Sequence, residues 1–218
     1  MKKPVAVSIE ASQKKSFATA VDWPGWSRSG KSEALAIEAL ASHADRYAQV
    51  AKQAGEAFPM TDGDEFEVVE RLDGSGATEF GVPSNVTEHD RRPITATEAD
   101  RLARLVEAAW RTFDSIATAA PEELRKGPRG GGRDTSKIVD HVFGSEQSYA
   151  STIGIKTKPF DTDDRPALDT LRAAMLEVLR QPSDGSPIPN SKWTSRYAAH
   201  RIAWHALDHA WEIEDRTD

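Results

Sequence analysis

The stretch WTSRYAAHRIAWHALDHAWEIEDR, residues 193–216, decides the reading of this chain. Its apolar residues recur at helical spacing, so it reads as one long amphipathic helix. His205 and His209 are four residues apart, which separates them by only about 40° around a helix axis. Ala198, Ile202 and Ile213 fall on the same face, so both imidazoles sit in an apolar stripe. His200 points to roughly the opposite side. Tyr197, Trp204, Leu207 and Trp211 form a second apolar face. A helix with two such faces is buried on two sides, one against a bundle and one against the amino-terminal part of the chain or another subunit.

Upstream of it the chain reads as helix from about Thr95. Thr95 with Glu98, and Thr97 with Asp100, have capping-box spacing. Leu102, Leu105, Val106, Ala109, Phe113, Ile116 and Ala117 then make a continuous apolar stripe. A second helix is expected from Asp134 or Thr135 to about Ile153, and a third from Pro166 through Leu179. Four amphipathic helices joined by Gly-, Pro- and Ser-rich connections imply a bundle over 95–218. Residues 1–85 read differently. VAVSIE (5–10) and SFATAV (16–21) read as strands, the Trp23–Trp26 turn follows, and one helix is expected from about Ser32 to Gln53. Glu65–Glu70 reads as a further strand. The expected fold class is α+β, a small β-β-α-β domain followed by a four-helix bundle.

Burying an imidazole without a partner is costly, so each inward histidine needs hydrogen bonds or an ion. On the second helix, His141 shares a face with Ile138, Val142, Ser145 and Tyr149. A lone histidine on an apolar face is usually a satisfied core residue. A spaced pair plus a third inward histidine on another helix instead favours a divalent-metal site. Glu212, one turn beyond His209, is either a group supporting that site or a surface charge. Arg201 with Asp208 has the ordinary reading of a salt bridge at the stripe edge, and Ser145 that of a helix hydroxyl. His43 and His89 show no ligand partners and are expected to be exposed. In the run from Arg125 to Thr135, a flexible connector is the stronger reading and an anion site the weaker.

Composition bounds the chemistry. With no cysteine in 218 residues, thiolate metal sites, redox pairs and cysteine nucleophiles are excluded from the chain itself. Any thiol must arrive with a small molecule. The mean hydropathy of −0.58 and the lack of a long apolar run argue against a membrane partner, and a cytoplasmic location is expected. The net charge of −7 is local: residues 61–100 carry 11 acidic and 3 basic side chains, whereas the rest is nearly balanced. No basic stripe remains to neutralise phosphates, so nucleic acid is not an expected partner.

DHVFGSEQSYA (140–150) and AWHALDHAWEIEDR (203–216) resemble the second- and fourth-helix motifs of DinB-like metal-binding four-helix bundles. The resemblance implies that His141, His205 and His209 hold a divalent metal, zinc or nickel, with positions left open. It points to thiol-dependent S-transferases or isomerases that use mycothiol or bacillithiol on small electrophilic substrates, and to pairing as a homodimer. FATAVDWPGWSRSGKSEALAIEAL (17–40) resembles the strand, turn and helix of HicB-like αβ domains. Three readings follow: a metal- and thiol-dependent enzyme acting on a small molecule; an interaction protein with a structural metal and a partner-binding HicB-like unit; or core histidines with no metal.

Overall fold

The computed structural model describes residues 4–59, 66–127 and 131–217. Strand β1 (Val5–Ala11) turns through Ser12–Lys15 into β2 (Ser16–Ala20), and β3 (Ser27–Gly30) follows the Trp-Pro-Gly-Trp turn. Helices α1 (Glu33–Ser42) and α2 (Ala44–Gln53) precede β4 (Phe66–Asp73) and the short α3 (Gly76–Glu79). Four long helices complete the chain: α4 (Ala96–Ala119), α5 (Thr135–Thr152), α6 (Arg165–Leu179) and α7 (Ser195–Thr217). The architecture is α+β. No helix of the described residues is long and apolar enough to cross a membrane.

The sheet has the order β3-β2-β1-β4, antiparallel except for the parallel β1–β4 pair. Central β1 is buried on both faces, but the two faces differ in kind. Val5, Val7 and Ile9 form one, while Ser8 and Glu10 lie on the other. A register shift between Val7 and Ser8 sets Val68 opposite Val7 but Leu72 opposite Glu10. This irregularity turns the second half of β4 toward the polar face. Helix α1 covers β2 and β3, and Gly30 is required there because a Cβ would meet Ala36 N at 2.5 Å. Trp26 stacks on Tyr47 at 5.5 Å and donates Nε1–H to Leu40 O at 3.0 Å.

The opposite face of the sheet meets α7. Phe17 packs edge-on to Trp204 at 6.1 Å. At Gly25, whose φ is +91°, a Cβ would lie 2.8 Å from Leu207 Cδ1. Arg28 on β3 donates to Asp208 Oδ1 at 2.9 Å, and Trp211 lies against the His43 ring at 5.1 Å. The second apolar face of α7 therefore packs on the amino-terminal unit, and one buried apolar cluster runs through both halves. Its first face joins the bundle, in which α7 borders α4 and α5, and α6 closes the ring between them.

Local chemistry sets the helix starts. Thr95 accepts from Glu98 N at 3.3 Å, whereas Thr97 lies inside α4 and caps nothing. Asp164 accepts from Ala167 N at 3.0 Å, with Pro166 in the first turn of α6.

Four expectations need correction. The segment 32–53 is two helices, broken at His43, whose φ of −99° and ψ of 5° leave the helical region. β3 was not expected, because SRSG has no apolar alternation; its register comes from pairing with β2 and from α1 above it. His43 is half-buried, with Nδ1–H donated to Ala39 O at 2.9 Å. His89 is also shielded, at 12% side-chain exposure, with Nε2 3.2 Å from Asp22 Oδ1. The beginning of the expected strand at Glu65, and most of the acidic run before it, lie outside the described residues.

Candidate metal centre

Helices α5 and α7 lie side by side, and their inward faces bring three imidazoles together. His205 Nε2 is 3.2 Å from His141 Nε2. One ligand nitrogen from each of His141, His205 and His209 lies within 4.8 Å of the others. Ring centroids are 5.0 Å apart for His141–His205, 4.9 Å for His141–His209 and 4.8 Å for His205–His209. The rings thus form a nearly equilateral triangle, steeply inclined to one another. Zn–N bonds of about 2.05 Å place two tetrahedral ligands about 3.3 Å apart. The His141–His205 separation matches that edge.

The protonation states suit ligation. Burial holds His205 well below the ordinary histidine range, and the positive charge that His209 can carry pushes the same way. His141 is lowered by the same two causes, burial first. Both imidazoles are therefore neutral at pH 7, the state a metal needs. His209 Nδ1 pairs with Glu212 Oε2 at 2.8 Å, which leaves Nε2 as the nitrogen free for a metal. Glu212 also accepts from Arg216 Nη1 at 2.8 Å. The His209 bond, ahead of burial, which opposes it, holds the Glu212 carboxyl below its usual range. Glu212 is thus a support for His209 and not a fourth ligand. Among the described residues the ligand group stops at three.

The other candidates take distinct places. Tyr149 sets its ring edge-on to His205 at 5.5 Å and packs against Trp193 at 5.5 Å. Arg201 lies over Tyr149 at 5.6 Å and over Trp204 at 4.8 Å. The expected Arg201–Asp208 bridge is absent, since Asp208 turns to Arg28. Ser145 donates its hydroxyl to His141 O at 2.7 Å, a bond within the helix that leaves it outside the ligand group. His200 faces away, with Nε2 3.0 Å from Val21 O.

One arginine beside the site, Arg216, escaped the sequence reading, whereas Arg133 belongs to the Arg125–Thr135 run read there as a connector or an anion site. Arg216 stands four residues after Glu212, a helical pair spacing that would have revealed it. It also exchanges bonds with Arg125, at 2.8 Å from Arg125 N to Arg216 O and 2.9 Å from Arg216 Nε to Arg125 O. The charge of Arg133, in the same connection, helps to lower both His141 and His205. The connection is therefore fastened to the end of α7 on the metal-site side. Residues 128–130, at the middle of the run considered for anion binding, lie outside the described residues.

No family model matches the chain, and the searches of curated proteins and of solved structures likewise find no match. The DinB-like and HicB-like resemblances accordingly rest on the quoted motifs alone.

Proposed function

We propose that the chain binds one divalent metal, zinc or nickel, through His141, His205 and His209, and acts as a thiol-dependent transferase or isomerase on a small electrophile. The carrying observation is the near-equilateral group of three imidazoles with no fourth protein ligand beside it among the described residues. A structural zinc is ordinarily closed by four protein ligands, whereas three leave room for an exogenous one. A metal held there supplies Lewis acidity, lowering the pKa of an incoming thiol or water.

The residues of this chain would do the rest. Glu212 orients His209, and burial keeps His205 neutral. Tyr149 and Trp193 wall one side of the site with aromatic surface, against which the body of a substrate would pack. The absence of cysteine fits a borrowed thiol. The HicB-like and DinB-like assignments belong to this proposal, as do a homodimeric state and a cytoplasmic location.

The test is the melting temperature of the metal-loaded protein with mycothiol or bacillithiol, followed by thiol consumption with a small electrophile. A rise that disappears in His205→Ala supports the reading. Retained metal with no response to either thiol favours a structural metal in an interaction protein instead.

A further inference from the structure

The two helices that carry the imidazoles are joined a second time, beyond the site. His141 stands six residues after Thr135, the start of α5, and His209 seven residues before Arg216 near the end of α7. At a rise of 1.5 Å per residue, both helix ends lie about 10 Å past their ligands. The connection before α5 spans these two ends. At α5, Thr135 donates from N to Glu122 O at 3.1 Å and from Oγ1 to Pro121 O at 2.6 Å. Ser136 donates from N and Oγ to the Glu122 carboxylate at 3.1 and 2.7 Å. At α7, Arg125 N donates to Arg216 O at 2.8 Å, and Arg125 Nη2 to Asp215 O at 2.6 Å. Leu124, 3% exposed, is the buried anchor between the two sets. The two arms of the connection meet where Gly127 N donates to Gly131 O at 2.8 Å and Lys126 pairs with Asp134.

Arg216 makes this segment part of the metal centre. Its Nε donates to Arg125 O at 2.9 Å, and its Nη1 donates to Glu212 Oε1 at 2.8 Å. The other oxygen of that carboxylate holds His209 Nδ1 at 2.8 Å. One guanidinium therefore links the connection to a histidine of the site through a single carboxylate. Gly132 lies so close that a Cβ there would stand 2.6 Å from Arg216 Nη2. The bonds to Asp215 O, Arg125 O and Glu122 from Ser136 are exposed to water, which places them in the part of the fold that opens most readily. An ion shared by His141 and His209 clamps the same two helices that the connection spans.

We propose that residues 121–127 and 131–134 form a strap coupled to metal binding: the ion holds the strap closed on Arg216, and the closed strap tightens the ion. The coupling rests on the reading of His141, His205 and His209 as metal ligands. Linkage makes the two effects equal, so the factor by which a closed strap raises metal affinity is the factor by which the ion favours closure. Arg216 is a positioning residue that acts through Glu212.

The experiment is limited trypsin digestion of the full chain, metal-free and with saturating zinc, read by mass beside a calorimetric zinc titration. Zinc should slow cleavage after Arg125, Lys126 or Arg133 by at least about fivefold, because cleavage follows the population of the open strap. Cleavage after the exposed Lys156, just past the far end of α5, should keep its rate. Arg216→Met keeps the aliphatic stem and severs both side-chain bonds; it should abolish the protection and weaken zinc by at least about fivefold. Gly132→Ala alters no helix, displaces the guanidinium and strains a backbone at φ +129°, and it should weaken zinc in the same direction. Far-ultraviolet dichroism reports that each variant is folded, and the wild-type protection needs no variant. Wild-type zinc affinity in both folded variants overturns the coupling, as does equal protection at Lys156, since the ion would then act on the whole fold. Bound zinc without protection of the strap overturns the coupling alone, whereas a wild type that binds no zinc overturns the metal centre and the coupling together.

Discussion

His209 Nδ1 and Glu212 Oε2 stand 2.8 Å apart, one helical turn apart on α7. The contact fixes which ring nitrogen stays free for a metal, and Arg216 in turn donates to Glu212 Oε1 at 2.8 Å. Removing a carboxylate that orients a metal-ligating histidine typically lowers metal affinity by about 10- to 100-fold. Glu212→Ala should do so in a zinc competition titration, with the far-ultraviolet dichroism unchanged. Glu212→Gln, which still accepts through its amide oxygen, should lose less. Equal affinity in all three proteins would mean that His209 is positioned by packing alone.

Acid should weaken metal binding through the same histidines. Protonation of His141 or His205 competes directly with the ion, and burial has moved both below the ordinary value of 6.5. The loss of affinity on acidification should therefore extend to lower pH than in a peptide with exposed histidines. Metal titrations above and below that value check the sign. A decline already complete at 6.5 would show that the site does not shield its imidazoles.

His43 makes a separate pH prediction about stability. Burial, with the nearby Arg28 charge second, brings its pKa down to about 4 from 6.5. The neutral form belongs to the folded state, so its stabilising contribution is complete above 6.5 and is lost as pH falls through about 4. Urea unfolding of wild type and His43→Phe at both ends of this window should show the variant losing less stability on acidification. An identical loss would contradict the burial argument.

A buried ion pair at the α5–α6 contact carries a larger penalty when broken. Arg172 donates to Glu146 at 2.7 and 2.8 Å and to Asp114 at 2.7 Å, and Glu146 is only 2% exposed. Glu146→Ala leaves the guanidinium partly uncompensated and should cost about 3–5 kcal/mol in denaturant unfolding. The double variant Glu146→Met with Arg172→Met should recover most of that loss. A single-variant cost below about 1 kcal/mol would show that Asp114 alone satisfies Arg172.

Much of this was legible in the sequence where the signal was local. The stripe from Leu102 to Phe113 and the spacing of His205 and His209 are read from neighbours three and four residues away. The match of His141 to that pair needed only the recognition that two inward faces each carried an anomalous polar residue. What escaped depends on partners far along the chain. Arg28 and Asp208 are 180 residues apart, so no window reveals that α7 docks on β3 through them. SRSG becomes a strand because β2 offers it a ladder and α1 roofs it, not through its own propensity. His43 ends one helix because its ring satisfies Ala39 O and packs on Trp211, contacts absent from an amphipathic pattern.

If His141, His205 and His209 are ligands to one ion, removing any one of them weakens its binding. Calorimetric titration of the metal-free full chain with zinc tests it most directly, beside His141→Ala, His205→Ala and His209→Ala. One ion per chain is expected in the wild type, and in each variant an affinity at least about 100-fold lower with the fold retained. Absence of zinc and nickel binding in the wild type, or equal binding in all four proteins, would contradict it.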